Sequence, residues 1–219
     1  MIRVVVADAQ QLARSGVRNV IDATSDITVV AEARDGVTAL AAVERLQPDL
    51  LLMDLRAPRI DAVEAARLIQ GTRLVVLVAS EQDDYVVDAL RAGASAFVVK
   101  GGPPDDLLRA IRTVNRADGL FGLPSIRRLL ARAVDALPAR RPPQSKWFDR
   151  LAENDQDLMV MVARGRTNFE IADALKVPEE TAATRVSDLL LRTGMRDRSQ
   201  ALVRVYETGV LAPVLEQPQ

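Results

Sequence analysis

Five short apolar runs alternate with five amphipathic segments over the first 120 residues, and no other feature limits the possible folds as strongly. The predicted strands are Val4–Ala7, Ile27–Ala31, Leu50–Met53, Leu74–Ala79 and Ala96–Val99. The predicted helices are Leu12–Ile21, Val37–Leu46, Ala62–Ile69, Tyr85–Arg91 and Pro104–Asn115. Strands that alternate with helices predict a parallel sheet whose two faces are covered by helices.

Three charged residues follow strands of this predicted sheet. Asp8, Asp54 and Lys100 each come directly after an apolar run. Because parallel strands end at the same edge of a sheet, and ligands bind at that edge, the three side chains are expected to meet in one site. Each residue alone would be interpreted as an ordinary solvated charge in a loop, but their common placement at the ends of strands favours a shared functional site.

Composition excludes several classes of protein. The chain has no cysteine and no histidine, which rules out disulfides, thiolate or histidine metal sites and histidine general bases. Neither a signal-peptide pattern nor an apolar stretch of membrane-spanning length is present, so we expect a cytoplasmic protein without membrane contact. The strand–helix loops lack a glycine-rich phosphate cradle, which argues against a nucleotide- or flavin-binding enzyme. We expect no enzymatic activity.

Charge and pattern divide the chain into four parts. Residues 1–120 form the strand–helix region with a net charge of −3, and residues 121–146 form a linker of net +5 with a helix at Ser125–Val134 and a basic, proline-rich connector. Residues 147–212 are helical by pattern, residues 213–219 are a flexible tail, and residues 147–219 together have a net charge of −3.

Two helices within 147–212 are predicted to be joined by about three residues. The first is Asn168–Leu175, and the second begins near Pro178 and ends at about Thr193, before Gly194. This spacing is typical of a helix-turn-helix. An ordinary helical hairpin has the same pattern, and helical spacing by itself leaves both interpretations open.

Three stretches resemble one family over nearly the whole chain. They are "LLMDLRAPRIDAVEA", "ALRAGASAFVVK" and "VARGRTNFEIADALKVPEETAATRVSDLLLRTGMRDRSQALVRVYETG". They are similar to the response regulators of two-component systems with a LuxR/NarL (FixJ) type output. The resemblance implies a flavodoxin-like (βα)5 receiver domain, and an all-α, four-helix DNA-binding domain of the LuxR helix-turn-helix type.

The resemblance also assigns a phosphorylation pocket. Its positions are Asp8, Ala9, Asp54, Arg56, Val78, Phe97 and Lys100. Asp54 stands at the phosphoacceptor position, and the backbone of Arg56 at that of a metal ligand. Phe97 stands at the aromatic switch position. Receivers hold Mg²⁺ with two adjacent acids after the first strand and bind a phosphoryl oxygen with a hydroxyl after the fourth.

The pocket departs from the family at two positions. Ala9 replaces one of the two adjacent acids, and Val78 replaces the hydroxyl residue. We therefore expect the Mg²⁺ site at Asp8 and Asp54 to be weak or lost, with no other cofactor. Asp54 and Lys100 are free to pair with each other. The resemblance then implies an atypical receiver that acts largely without aspartate phosphorylation. Whether a sensor kinase or a small-molecule ligand acts on this receiver is left open.

The output region departs from the family as well. The candidate DNA-binding residues are Thr181, Ala183, Thr184, Arg185, Ser187, Arg192, Arg196 and Arg198. Ala183 replaces a lysine that commonly approaches a base, and Leu151–Asp155 replaces a motif that contains an arginine. Because DNA affinity depends on how many phosphates are neutralised, this acidic region is poorly equipped to bind DNA alone.

We expect a bacterial transcription regulator that binds DNA as a homodimer, or as a heterodimer with a more basic relative. The arginine- and alanine-rich composition suggests a GC-rich, actinobacterial genome. The first and last helices of the receiver offer apolar residues for dimerisation: Leu12, Val17, Leu107, Leu108 and Ile111. The rival interpretation is a protein-interaction module that controls a partner regulator without touching DNA.

Overall fold

The computed structural model describes residues 1–80, 85–116 and 146–211, and Val87 by its backbone alone. The strands are β1 (Ile2–Ala7), β2 (Ile27–Ala33), β3 (Leu50–Asp54), β4 (Arg73–Val78) and β5 (Ala96–Val99). The helices between and after them are α1 (Gln11–Asp22), α2 (Gly36–Leu46), α3 (Ala62–Leu68), α4 (Tyr85–Ala92) and α5 (Pro104–Asn115). All ten predicted elements are present, with ends that shift by a few residues.

The five strands form one parallel sheet in the order β2-β1-β3-β4-β5. Since β1 and β3 are neighbours, Asp8 and Asp54 leave the sheet side by side at its carboxyl edge. β5 pairs with β4, so that Val99 lies opposite Val78 and Lys100 follows at the same edge. This topology brings the three charged residues together.

Local sequence explains where several helices begin. Asp35 caps α2 by accepting a hydrogen bond of 2.8 Å from the Thr38 N–H, and Asp61 caps α3 through the Glu64 N–H at 2.8 Å. Pro104 occupies the first turn of α5, where its missing N–H leaves no donor unsatisfied. The sheet and its helices are thereby fixed around a core of mainly valine, leucine and alanine.

Four further helices lie in the described residues after 146. They are α6 (Glu153–Ala163), α7 (Asn168–Leu175), α8 (Glu179–Arg192) and α9 (Arg198–Glu207). Their buried faces form a second hydrophobic cluster, which includes Met159, Ile171 and Leu189. None of the helices within the described ranges is long and apolar enough to cross a membrane.

The two hydrophobic clusters meet at α9. Leu202 and Val203 of α9 are buried against the sheet-containing part of the chain, whereas Ala201 and Val205 of the same helix belong to the second cluster. The predicted helix at 125–134, the connector before residue 146 and the tail at 213–219 lie outside the described residues.

The predicted dimerisation residues divide into core and surface. Leu107 and Ile111 are buried in the core, and Val17 and Leu108 are half-buried. Leu12 is 86 % exposed. Leu107 and Ile111 are therefore not available for dimerisation, because α5 uses these two side chains to pack on the sheet, whereas Leu12 faces outward.

Candidate functional site

Lys100 bridges the two acids at the carboxyl edge of the sheet. Its Nζ lies 2.6 Å from Asp8 Oδ2 and 2.6 Å from Asp54 Oδ1. The backbone N–H of Lys100 donates to the Val78 carbonyl at 2.7 Å, which fixes the start of the loop after β5. Asp8 Oδ1 accepts a hydrogen bond of 2.8 Å from the Gln10 N–H, which orients its carboxylate toward the ammonium.

The three groups are withdrawn from water to different degrees. The Asp8 side chain is 2 % exposed, whereas those of Asp54 and Lys100 are 20 % and 25 % exposed. Partial burial alone would lower the pKa of Lys100, but hydrogen bonds and charge from Asp54 and Asp8 outweigh it, and the pKa is raised. Lys100 is therefore a permanent cation between two carboxylates.

The residues present do not fit a Mg²⁺ ion. Both carboxylates already have the ammonium of Lys100 as their partner, and position 9 offers only the methyl group of Ala9. The described residues contain no group of three acidic, histidine or cysteine side chains placed to hold a metal. Since Mg²⁺ requires several oxygen ligands in octahedral geometry, we derive no step through a metal at this site.

The remaining pocket positions are apolar or engaged. Val78 and Phe97 are buried within the sheet core, and neither presents a polar group to Asp54. The Arg56 guanidinium lies 4.7 Å above the centre of the Tyr85 ring, at the start of α4. The pocket thus holds the phosphoacceptor position and its lysine, without a hydroxyl at position 78.

The candidate nucleic-acid interface is formed by α7, a tight turn and α8. Thr167 and Glu170 form a reciprocal capping box at the start of α7. Residues 176–178 separate the helices, and Lys176 adopts a left-handed conformation with φ 54°. The three-residue junction agrees with the spacing predicted from sequence.

α8 buries one face and presents the other to solvent. The buried residues are Ala182, Val186, Leu189 and Leu190. Of the predicted contact residues, Thr184, Arg185 and Ser187 are exposed, and Thr181 and Ala183 are half-buried. The Thr184 hydroxyl donates to the Glu180 carbonyl at 2.9 Å. These five residues share the accessible side of the helix.

The two arginines of α8 differ in their partners. Arg192 donates two hydrogen bonds to Asp155 of α6, at 2.9 and 3.0 Å. Arg185 lines a groove between α6 and α8, together with Asp157 and Asp188. Within the described ranges Arg185 makes no ion pair, so its guanidinium is available to a phosphate, whereas that of Arg192 is held by a carboxylate.

Arg196 and Arg198 do not belong to this surface. Arg198 is 3 % exposed, and its guanidinium donates to the Arg166 carbonyl at 2.7 Å and to the Asn168 side chain. Arg196 donates to the Ile69 carbonyl at 3.2 Å, in the loop before β4. Both were predicted as DNA contacts, and the structure corrects this: one arginine ties α7 to the start of α9, and the other joins the two parts of the chain.

Sequence reasoning missed a buried polar contact between α9 and the sheet. The Ser95 hydroxyl donates to Asp197 Oδ2 at 2.7 Å, and the Ser199 hydroxyl donates to the Ser95 carbonyl at 2.9 Å. Burial raises the pKa of Asp197, against hydrogen bonds from Ser95 and the Gln200 N–H. No sequence signal revealed this contact, because its partners lie in the two parts of the chain, and no pattern in either part predicts how they pack against each other.

Comparison with known proteins agrees with this geometry. Residues 4–112 match the response regulator receiver domain. A transcriptional regulatory protein of Bacillus subtilis, YxjL, is 33 % identical over 96 % of this chain and 97 % of its own length. The chain belongs to the transcriptional response regulators.

Solved structures give the same result for the fold. The receiver domain of NarL from Mycobacterium tuberculosis is 30 % identical and covers 52 % of this chain and 96 % of its own, with a TM-score of 0.51. The response regulator RcsB, solved with DNA, is 20 % identical and covers 94 % of this chain and 98 % of its own, with a TM-score of 0.53. At that identity the second likeness concerns the fold alone.

Proposed function

We propose that this response regulator is a LuxR/NarL-type DNA-binding protein whose receiver works without aspartate phosphorylation. Residues 1–120 would be the receiver, 121–146 the linker and 147–212 the DNA-binding domain, in a cytoplasmic homodimer or heterodimer. The observation that carries the proposal is that the site around Lys100, 2.6 Å from both Asp8 and Asp54, has a methyl group at Ala9 and a buried valine at Val78. The site therefore lacks the second acid and the hydroxyl that the resemblance assigns to these two positions.

The first test concerns phosphoryl transfer. Transfer to a carboxylate requires cations that neutralise the charge spreading over the phosphoryl oxygens. Here Ala9 and Val78 supply neither a metal ligand nor a hydroxyl. We expect no Asp54 phosphorylation by acetyl phosphate with Mg²⁺ on a phosphate-affinity gel. The double variant Ala9→Asp with Val78→Thr should gain a shifted band.

A matched variant makes the result decisive. Adding Asp54→Asn to the double variant must abolish the shifted band, which shows that the label resides on Asp54. A strong shifted band from the unaltered chain, lost in Asp54→Asn alone, would contradict the proposed mode of action.

The second test concerns DNA. The exposed side of α8 presents Thr184, Arg185 and Ser187, while Glu179 and Glu180 make its first turn acidic. Each cation that contacts a phosphate releases counterions, so a gained contact steepens the dependence of log affinity on log salt by about one unit. We therefore expect Ala183→Lys to strengthen binding to promoter DNA and to steepen the salt dependence by about one unit.

Two further variants complete this experiment. Arg185→Ala should weaken binding to all sequences if its guanidinium contacts a phosphate. If it contacts a base, the loss should fall on one operator position and amount to about 1–3 kcal/mol. Ala23→Lys adds the same charge at an exposed position after α1 and should leave the salt slope unchanged.

One observation favours the interaction module as a second candidate. Phe169 of α7 and Leu191 of α8 are 68 % and 79 % exposed, on the two helices that would face DNA. An interaction module would use these two side chains as part of an apolar contact patch, the kind of surface that marks protein contacts. Salt curves that are flat and identical for the unaltered chain and both α8 variants would favour this candidate and remove direct DNA binding.

A further inference from the structure

A cavity of about 290 Å³ lies between α1 and α5, beside the Lys100 site. Its walls are mainly apolar and include Val17, Val20, Val98 and Leu107. Asp8 and Lys100 close one end, and the loop 101–104 forms part of the rim. Ligand sites commonly have this composition, with an apolar body and a few polar groups at one end.

Gly16 lines the solvent-exposed side of the cavity. A glycine inside a helix is unfavourable, because it adds backbone entropy to the unfolded chain. The backbone of Gly16 is helical and does not need positive φ, and a Cβ placed on it would meet no atom within 4 Å. Close packing therefore does not explain this exposed glycine, and the open space beside it admits a larger side chain at the cavity wall.

The neighbouring valines of α1 pack against the core but are not fully covered by it. Val17 and Val20 are only half-buried, and Ile21 is the one residue of α1 that is fully buried. Apolar side chains on the inner side of an amphipathic helix normally pack against the core. Here part of their surface faces the cavity, and an apolar occupant would cover it.

The polar end of the cavity selects the chemistry of the occupant. An ammonium group has three N–H donors, and the structure gives Lys100 two carboxylate partners, which leaves one donor available among the described residues. This donor needs an acceptor, which a cationic amine lacks. An anion would be repelled, since Asp8 and Asp54 both lie 2.6 Å from the same nitrogen.

We propose that the α1–α5 cavity binds a small, neutral, mainly apolar molecule whose carbonyl or hydroxyl oxygen accepts a hydrogen bond from Lys100. The volume accommodates a body of about two fused rings. This site is independent of the proposed DNA binding, and it ends on the lysine that holds the phosphoacceptor position.

The experiment uses the full chain and the fluorescent ketone prodan (6-propionyl-2-dimethylaminonaphthalene), whose emission shifts to the blue when it leaves water. We expect a saturable blue shift with a Kd of about 0.1 mM, from the affinity typical of a ligand of this size. Competition tests the polar end: 2-acetylnaphthalene should displace prodan, whereas 2-naphthoate, with the same rings and a negative charge, should not.

Two variants of α1 locate the binding. Gly16→Leu fills the cavity and should weaken prodan binding at least tenfold. Asn19→Leu places the same side chain at an exposed position of the same helix, outside the cavity lining, and should have no effect. Circular dichroism should show both variants folded, because leucine favours a helix more than either original residue does.

Several results would overturn this proposal. These are no saturable shift with the unaltered chain, binding that survives Gly16→Leu, or displacement by 2-naphthoate as strong as by the ketone. A second copy of the chain is the alternative occupant. If Gly16→Leu lowers the mass measured by light scattering, and prodan binding declines as the protein dimerises, the cavity belongs to a dimer interface and the ligand proposal fails. DNA binding by the unaltered chain, measured separately, tests the proposed function and not the cavity.

Discussion

Replacing Lys100 by methionine should destabilise the fold, because it leaves two carboxylates facing each other without their shared cation. Asp8 Oδ2 and Asp54 Oδ1 each lie 2.6 Å from Nζ, so the two oxygens are separated by at most twice that distance, about 5.2 Å. At an effective dielectric constant of about 20, two unit charges at this distance repel by about 3 kcal/mol. Methionine keeps an unbranched apolar chain, so the change is mainly electrostatic.

The expected loss is measurable by thermal unfolding. For a chain of this length, about 3 kcal/mol lowers the Tm by roughly 6–12 °C. Lys100→Met should melt within that interval below the unaltered chain at pH 7. Adding Asp54→Asn to Lys100→Met should recover most of the Tm, because it removes one of the two repelling charges.

The double variant decides between repulsion and lost packing. If Lys100→Met melts within about 2 °C of the unaltered chain, the lysine does not offset the charge of the two acids, and the reasoning from the pocket geometry is refuted. If the Tm falls but Asp54→Asn does not restore it, the loss comes from packing of the lysine stem rather than from charge.

Two predictions concern other parts of the chain. Gly93 has φ +112°, and a Cβ placed on it would lie 1.7 Å from Arg196 Nη2. Gly93→Ala should therefore displace the arginine and speed amide hydrogen exchange in α9. Unchanged exchange would contradict the importance of this contact. Two hydrogen bonds from Arg112 lower the pKa of Asp26 from 3.8 to about 2, so this carboxylate stabilises the fold above pH 3.8 and loses its effect as the pH falls through about 2. The Tm of Asp26→Asn should therefore lie below that of the unaltered chain at pH 6, and this difference should vanish near pH 2. A difference that persists at pH 2 would indicate a contribution other than ionisation of Asp26.

The sequence by itself determined the α/β part of the fold and the members of its pocket. Apolar runs such as Leu50–Met53 are typical of strands buried on both faces, and their alternation with helices predicts a parallel sheet covered by helices. Because the strands of such a sheet end at one edge, Asp8, Asp54 and Lys100 had to lie along it, and the strand order then brought them together. The absence of a second acid at Ala9 and of a hydroxyl at Val78 could also be read directly from the sequence.

Only the tertiary structure decided which charges are available and which are already paired. Sequence pattern gave Arg185, Arg192 and Arg198 the same role, yet one has no ion-pair partner in the described part of the chain, one is held by Asp155, and one is buried. The reason is physical: a side chain's electrostatic partner depends on distances of a few ångströms between residues far apart in sequence, and helical periodicity carries no information on them. The same holds for the contact of Ser95 with α9, and for the cavity at Gly16, which exists because α1 and α5 pack beside each other on the sheet.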